Sequence, residues 1–383
     1  MEELKIMSIV GTRPEAIKMA PLIRMLEGTP GIESVLCLTA QHREMLDQVL
    51  SLFQLQAKHD LNIMEQNQSL THITARALQG LDEVISKDKP DLILVQGDTT
   101  TTLAGSLAAF YHKIPVGHVE AGLRTGDKYA PFPEEINRRL NSVIADLHFA
   151  PTTLSRDNLL QEGIHPENIY ITGNTVIDAL KTTVQPDYVF SDPFLRELDF
   201  NSKRVLLVEA HRRENLGRPL EEICLAIIDI LQTFPDTFLV FPVHKNPAVR
   251  KTVTEYLQGH PQVRLLDPLD PLSFHNLMAR SHLIITDSGG VQEEAPSLGR
   301  PVVILRNVTE RPEALQAGTA LLAGNGRESV FKNACHLLED NVAYEAMAHA
   351  SNPYGDGHAS SRIRDLILYY FGRRQSPPEP FQG

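Results

Sequence analysis

Tryptophan is missing from the chain, and cysteine nearly so: Cys37, Cys224 and Cys335 stand alone and far apart. No Cys-x-x-Cys pair exists, which argues against a zinc ribbon, a thioredoxin-type redox motif and a disulfide framework. Long apolar runs are lacking too. No stretch nears the roughly 20 apolar residues that a membrane helix needs. The opening residues carry Glu2, Glu3 and Lys5 and turn apolar only briefly, so they lack the basic start and apolar length of a signal peptide. The expectation is a soluble cytoplasmic protein with no membrane partner.

Positive charge is the next shortage. Lys and Arg total 36 against 48 Asp and Glu, a net charge of −12. Nucleic acids and anionic membranes are bound by basic surfaces, so neither is an expected partner. A small anionic ligand in a local pocket stays open. Several fingerprints are absent as well. No GxGxxG follows the first apolar run, and no Walker A, GxSxG or HExxH sequence occurs. These absences weaken hydride-transfer, ATPase, serine-hydrolase and zincin readings.

What is present is length and pattern. A chain of 383 residues suits about two domains of roughly 150 residues each. A charged fraction of 22% is ordinary for a globular protein. The 15 histidines are a mild hint of proton-transfer or anion chemistry. Short β-branched runs at 5–10, 34–39, 91–96, 115–119 and 146–150 alternate with stretches of helical period. After a linker, the polar, Pro-containing segment at 185–203, the pattern restarts at 204–209, 237–243, 262–266, 282–286 and 301–305. Strands alternating with helices mean βαβ units and parallel sheets. The expected fold class is α/β: two doubly wound Rossmann-like domains, 1–178 and 179–358, facing a cleft. A helix at 359–373 is free to pack back on the first domain, and 374–383 reads as a frayed tail.

Ligands of open α/β sheets bind beyond the carboxyl ends of the strands. Here those ends carry dense polar clusters. They include Gly11-Thr12-Arg13-Pro14-Glu15, Gly97-Asp98-Thr99-Thr100, Glu120-Ala121-Gly122, His211-Arg212-Arg213, His244-Lys245-Asn246, Asp287-Ser288-Gly289-Gly290 and Arg306 through Arg311. Two glycines after a strand let backbone N–H groups approach an anion, with Ser288 adding a hydroxyl; a plain turn with an N-cap competes equally. Glu293 or Glu294 can accept from a ribose diol, or simply favour a helix start. Arg13, Lys18, His211, Arg212, Arg213, Arg306 and Arg311 supply cations suited to a diphosphate, although each alone reads as a solvated charge. Asp98 can cap the helix that follows it. Glu120 ends a strand and caps nothing. Glu134 follows Pro131-Phe132-Pro133, where a dipole role competes with a chemical one. Three carboxylates converging with cations can transfer protons, and His211 can be an acid, a base or a phosphate ligand.

Taken together, eight motifs occur in family order. They are Gly11-Thr12-Arg13-Pro14-Glu15-Ala16-Ile17-Lys18, Gln41-His42-Arg43, Gly97-Asp98-Thr99-Thr100-Thr101, His118-Val119-Glu120-Ala121-Gly122-Leu123-Arg124-Thr125, Pro133-Glu134-Glu135-Ile136-Asn137-Arg138, His211-Arg212-Arg213-Glu214-Asn215, Asp287-Ser288-Gly289-Gly290-Val291-Gln292-Glu293-Glu294 and Thr309-Glu310-Arg311-Pro312-Glu313. Over roughly 6–372 the chain resembles the bacterial non-hydrolysing UDP-N-acetylglucosamine 2-epimerases. The resemblance implies a glycosyltransferase-B type fold, a homodimer, and reversible conversion of UDP-N-acetylglucosamine to UDP-N-acetylmannosamine without metal or nicotinamide. It implies a catalytic set of Asp98, Glu120, Glu134 and His211. Substrate would be bound by Arg13, Lys18, Ser288, Gly289, Gly290, Glu294 and Arg311, with Phe274 near the uracil.

Members of this family resemble one another in an activating second site for substrate, which the alignment places at Gln41, Glu134, Arg212 and His244. The family pattern also has Gln at position 44 and Arg at 67, where this chain has Glu44 and Asn67. A Gln that some members place near the base is Leu269 here. Three rivals remain at this point: a hydrolysing relative that releases UDP and N-acetylmannosamine, a glycosyltransferase of the same fold, and a non-catalytic nucleotide-sugar sensor.

Overall fold

The β-branched runs become strands buried on both faces, the condition that produces continuous apolar segments in parallel sheets, except at the edge strand Val263–Leu266, where Arg264 is exposed. The structure, a computed structural model, describes residues 3–40, 43–65, 68–309 and 311–383, with backbone alone at 43–45. Among the described residues one sheet holds β1 (Leu4–Val10), β2 (Ile32–Leu38), β3 (His59–Asp60), β4 (Leu92–Gln96), β5 (Val116–Val119), β6 (Leu147–Ala150) and β7 (Ile169–Ile171). A second holds β8 (Arg204–Glu209), β9 (Thr237–Pro242), β10 (Val263–Leu266), β11 (Leu283–Thr286), β12 (Val302–Ile304) and β13 (Ala320–Leu322). The strand orders are β3-β2-β1-β4-β5-β6-β7 and β10-β9-β8-β11-β12-β13. Every strand pairing in both sheets is parallel. Both sheets are doubly wound α/β, the expected fold class.

The chain divides into two compact units. The first is Met1–Lys181 with Tyr354–Gly383, and the second is Thr182–Pro353. Helices cover both faces of the first sheet, with Met19, Leu22, Ile23 and Leu26 on one core cluster and Ala77, Leu81, Ile85 and Ala104 on the other. In the second unit Ile223, Ile227 and Ile230 of the helix Arg218–Thr233 pack over Leu206, Val208 and Phe241. The three cysteines are buried and unpaired, and burial pushes the thiols of Cys37 and Cys224 up to about 12. Among the described residues no helix is long and apolar enough to cross a membrane.

Three expectations need correction. Residues 185–203 are not a linker. They carry the helix Pro193–Glu197 and an aromatic cluster, in which Phe190 is buried, meets Tyr188 edge-on at 5.1 Å and lies under the Arg280 guanidinium at 5.1 Å. Residues 354–358 sit with the first unit, not the second: Tyr354 is buried, and its carbonyl accepts from Asn174 N–H at 2.7 Å. The tail is anchored, since the ring of Phe381 is buried against the Arg362 guanidinium and its N–H donates to the Ile171 carbonyl at 2.9 Å. The helix Ala359–Tyr370 packs on the helix Arg13–Glu27, and Asp178 accepts its first amides, Ala359 N–H at 3.1 Å and Ser360 N–H at 2.8 Å.

In a doubly wound sheet the crevice opens where strand order reverses, because successive crossovers leave in opposite directions there. That point lies between β1 and β4 in the first sheet and between β8 and β11 in the second. The clusters Gly11 through Lys18, Gly97-Asp98, His211 through Asn215 and Asp287 through Gly290 all follow these four strands.

Candidate active site

Glu15 organises the floor of the first unit's cluster. Its buried carboxylate accepts from Gly11 N–H at 2.9 Å, Thr12 N–H at 2.6 Å, Thr99 Oγ1 at 2.5 Å and Thr102 Oγ1 at 3.2 Å. Burial pushes this carboxyl above its ordinary range, against the pull of those donors. Glu15 therefore fixes the turn that carries Arg13 to the turn that carries Asp98. Arg13 opens the helix Arg13–Glu27 and is half-buried. Asp98 does not cap the next helix, because Thr99 does, accepting from Thr102 N–H at 3.2 Å. That leaves the Asp98 carboxylate for Arg138, 2.7 Å away, while Asn137 Nδ2 donates to the Asp98 carbonyl at 2.9 Å.

Glu120 follows β5 with φ +64, a left-handed backbone that few non-glycine residues adopt. This conformation turns its carboxylate onto three donors. Lys18 Nζ reaches Oε2 at 2.5 Å, Gln96 Nε2 at 3.1 Å and Asn174 Nδ2 at 3.1 Å. Two residues on, Gly122 has φ +90, and a Cβ there would overlap the Ser155 carbonyl. Only glycine lets the chain leave Glu120 along this path. Glu134 begins the helix Glu134–Ile144, and its buried Oε2 has no hydrogen-bond partner among the described residues. Its neighbour Glu135 is the structural one, fully buried and accepting from Thr125 N–H at 3.1 Å and Gly126 N–H at 3.2 Å. His118 is buried beside Glu120 in sequence, bonded through Nε2 to the Gly97 carbonyl at 2.7 Å, and burial holds its imidazole down to about 4.

In the second unit the organiser is Asp287, fully buried at the end of β11. One carboxylate oxygen accepts from His211 N–H at 2.9 Å, Arg212 N–H at 2.9 Å and Asn215 Nδ2 at 2.8 Å. The loop after β8 is thereby clamped to the loop after β11. The His211 ring stacks on His244 at 5.2 Å and 14°. Burial lowers the His211 pKa; Asp287 opposes this, while His244 and Arg212 add to it. His244 itself accepts through Nδ1 from Asn246 N–H at 3.1 Å.

Ser288 occupies the N-cap position of the short helix Gly289–Glu294, yet its side chain makes no cap. A Cβ on Gly289 would overlap the Arg311 guanidinium. Arg311 Nε donates to buried Glu293 at 2.5 Å, which takes Glu293 out of contention for a ribose. Glu294 remains partly accessible, 3.7 Å from His275 Nε2, and Gly290 lies beside it. Phe274 is half-exposed on the helix Pro271–Arg280. Arg306 is committed to Glu214 at 2.6 Å.

Of the residues expected to be catalytic, Asp98, Glu120 and Glu134 lie in the first unit, and His211 in the second. Arg13 and Lys18 join the first set; Phe274, Ser288, Gly289, Gly290, Glu294 and Arg311 join the second. Gln41 and Asn67 fall outside the described residues, as does the side chain of Glu44. Arg212 and His244 flank His211 directly. Residue types alone do not single out Glu15, Gln96, Asn174 or Asp287. A polar residue ending a fully apolar strand, as Gln96 does, is the one signal available for them. Among the described residues no group of three His, Cys, Asp or Glu side chains is arranged to hold a metal ion.

Comparison with known proteins places the chain in a family. The family model described as UDP-N-acetylglucosamine 2-epimerase matches residues 24–368. The UDP-N-acetylglucosamine 2-epimerase of Bacillus subtilis is 54% identical over 383 residues, spanning all of both chains. The structure of MnaA from S. aureus with UDP superposes with a TM-score of 0.91 at 48% identity, covering 99% of this chain and 100% of that one. The Neisseria meningitidis UDP-GlcNAc 2-epimerase bound to UDP-GlcNAc gives a TM-score of 0.88 at 50% identity, covering 96% of this chain and 100% of that one. With a family model spanning most of its length and a relative more than half identical end to end, this chain belongs to the UDP-N-acetylglucosamine 2-epimerase family.

Proposed function

We propose that the protein interconverts UDP-N-acetylglucosamine and UDP-N-acetylmannosamine by eliminating and re-adding UDP. The carrying observation is the carboxylate set of the first unit, with Glu120 held in left-handed backbone under three donors. The C-2 hydrogen of this sugar has no neighbouring carbonyl, so simple deprotonation is out of reach. Elimination solves the problem. A base takes the C-2 proton, the C–H electrons form a C-1=C-2 bond, and the C-1–O bond breaks with its electrons leaving on UDP. In the return step a UDP oxygen adds to C-1 of the glycal while a proton is delivered to the opposite face of C-2.

This route needs proton-transfer groups at the sugar, supplied by Asp98, Glu120 and Glu134, and stabilisation of departing diphosphate, supplied by Arg13, Arg311 and His211. Lys18 holds Glu120. Ser288, Gly289 and Gly290 present donors to phosphate, Glu294 accepts from the ribose and Phe274 lies by the uracil. The route has no redox step and no need of a cofactor. The relatives solved with UDP and with UDP-GlcNAc support the substrate assignment. An activating molecule of substrate would sit on Arg212 and His244; because His244 stacks on His211, its occupant would bear on the catalytic ring. Buried, unpaired cysteines suit a cytoplasmic enzyme supplying N-acetylmannosamine units for cell-surface polysaccharides.

The test is incubation with UDP-N-acetylglucosamine in heavy water, followed by proton NMR. Deuterium at C-2 of the UDP-linked pool, with a second UDP-linked isomer, is expected. Stoichiometric free sugar would assign hydrolysis instead, and absence of both exchange and turnover would overturn the enzymatic reading.

We further propose a homodimer built on the helix Glu134–Ile144. Its polar residues Glu135, Asn137, Asn141 and Ser142 are buried, while Ile136, Leu140 and Val143 are exposed by 38%, 44% and 81%. The stripe at i, i+4 and i+7 points outward on a helix that packs against Thr100–Tyr111, whose Phe110 and Tyr111 are exposed as well. An apolar face of this kind is self-complementary about a two-fold axis. Leu140→Glu with Val143→Glu should halve the mass measured by light scattering. A mass unchanged by the double substitution would remove this face from the interface.

A further inference from the structure

We infer that Asn174, with Gln96, is a positioning residue that fixes the charge and direction of Glu120, an inference resting on the epimerase reading above. The argument begins with the amide of Asn174. Its Oδ1 accepts from Val176 N–H at 3.1 Å, closing a turn at the start of the helix Thr175–Thr183. That bond settles which end of the amide faces Glu120. Only Nδ2 is left to face the carboxylate, and an NH2 group can donate but not accept. The backbone of Asn174 is fixed as well, through its N–H on the Tyr354 carbonyl at 2.7 Å. Asn174 is itself 2% exposed, so its donor has no competing water.

Gln96 arrives from another direction. It ends β4 in register with Val119, the residue before Glu120, and its Nε2 reaches the same Oε2. Lys18 completes the set. Three donors converge on one oxygen, and that oxygen cannot also carry a proton. The bonds favour the ionised carboxylate and hold it in the one rotamer that reaches all three. They also anchor the side chain of a residue whose backbone sits at φ +64, which offsets part of the cost of that conformation. Lys18 supplies charge, while Asn174 and Gln96 supply direction. Removing either amide loosens Glu120 without touching its chemistry.

A pair of substitutions at one position separates this role from a purely structural one. Asn174→Asp keeps the size of the side chain and the Oδ1 acceptor for Val176, but turns an acceptor with negative charge toward Glu120. Asn174→Ala loses both groups and leaves no charge. If Asn174 only shapes the turn, the Asp variant is the better enzyme. If it positions Glu120, the order reverses. The expected result is kcat lower by about 10-fold in Asn174→Ala and by about 100-fold or more in Asn174→Asp. The acidic limb of the kcat profile should move up by about one pH unit in the Asp variant, because a second negative charge disfavours ionised Glu120. UDP affinity by calorimetry should stay within about twofold in both, since neither atom involved belongs to the UDP-binding set. Gln96→Glu, at an independent site, should show the same acid-limb shift, which keeps the inference open to test should one Asn174 variant fail to fold. An Asp variant as active as the Ala variant, or an unmoved acid limb in both Asn174→Asp and Gln96→Glu, would overturn it. Wild-type protein that fails to exchange C-2 hydrogen would instead overturn the epimerase reading itself.

Discussion

Glu120→Gln should lower the rate of C-2 epimerisation by about 10²-fold or more, the usual loss when an acid–base group is removed. The substitution is nearly isosteric, so its effect reports charge and hydrogen bonding. In the wild type Oε2 accepts from Lys18, Gln96 and Asn174. A glutamine at 120 can offer its oxygen to these donors, but its NH2 must then point where the other carboxylate oxygen lay. Lys18 also loses a partner charge 2.5 Å away. Asp98→Asn should cost a similar factor for a related reason, since the Arg138 guanidinium at 2.7 Å is left beside a neutral amide. Single-turnover deuterium exchange at C-2 measures both effects at the chemical step, and UDP affinity should change little. A near-normal exchange rate in either variant would strike that residue from the catalytic set.

Asp287→Asn should have an effect of comparable size, on stability and activity together. Three donors meet one oxygen of a fully buried carboxylate: His211 N–H, Arg212 N–H and Asn215 Nδ2. An asparagine can keep its oxygen on these three donors only by turning its NH2 group toward His211 N–H, which also lies 3.2 Å from the other carboxylate oxygen. The loss should be roughly 1.5–3 kcal/mol in urea unfolding, the range for hydrogen bonds to a charged group. The loop carrying His211 should loosen with it, lowering kcat/KM by about 10²-fold. The sign of the histidine effect is fixed by its causes. Burial depresses His211, and the Asp287 charge partly restores it. Without that charge His211 should titrate at still lower pH, read directly from its ring-proton resonances. Unchanged stability and an unmoved His211 titration would show that the clamp does not hold the loop.

The sequence reveals the fold where apolar runs are long enough to carry a period. Ten strands fall within two residues of their expected ends, and 204–209 is matched residue for residue by β8. The three strands that escape notice are His59–Asp60, Ile169–Ile171 and Ala320–Leu322, each too short for any alternation to show. Residues 185–203 look like a linker because aromatics at 188, 190, 194 and 200 follow neither helical nor strand spacing; Tyr188, Phe190 and Phe200 pack as a cluster instead, and Phe194 packs on Phe238 of β9. The carboxylates and cations of the site are legible because they sit at strand ends, where polar side chains have no core to avoid. Their partners are not. That Gln96 meets Glu120 depends on the register of β4 against β5, and that Asn174 does so depends on a turn 54 residues further along the chain. Asp98 shows the same limit from the other side, since whether it or Thr99 caps the helix is decided by a one-residue shift in the turn.

The anchored tail gives the first sheet a protected border. A parallel sheet ends in strands whose outer N–H and C=O groups are free to recruit another chain. On one side the border is β3, only two residues long and ending in Asp60, a poor template for pairing. On the other it is β7, Ile169–Ile171, apolar enough to be a better one. There the Ile171 carbonyl is already taken by Phe381 N–H, and the Phe381 ring lies over the guanidinium of Arg362. Phe381 of the tail thus occupies one of the edge acceptors through which a further strand would have to pair.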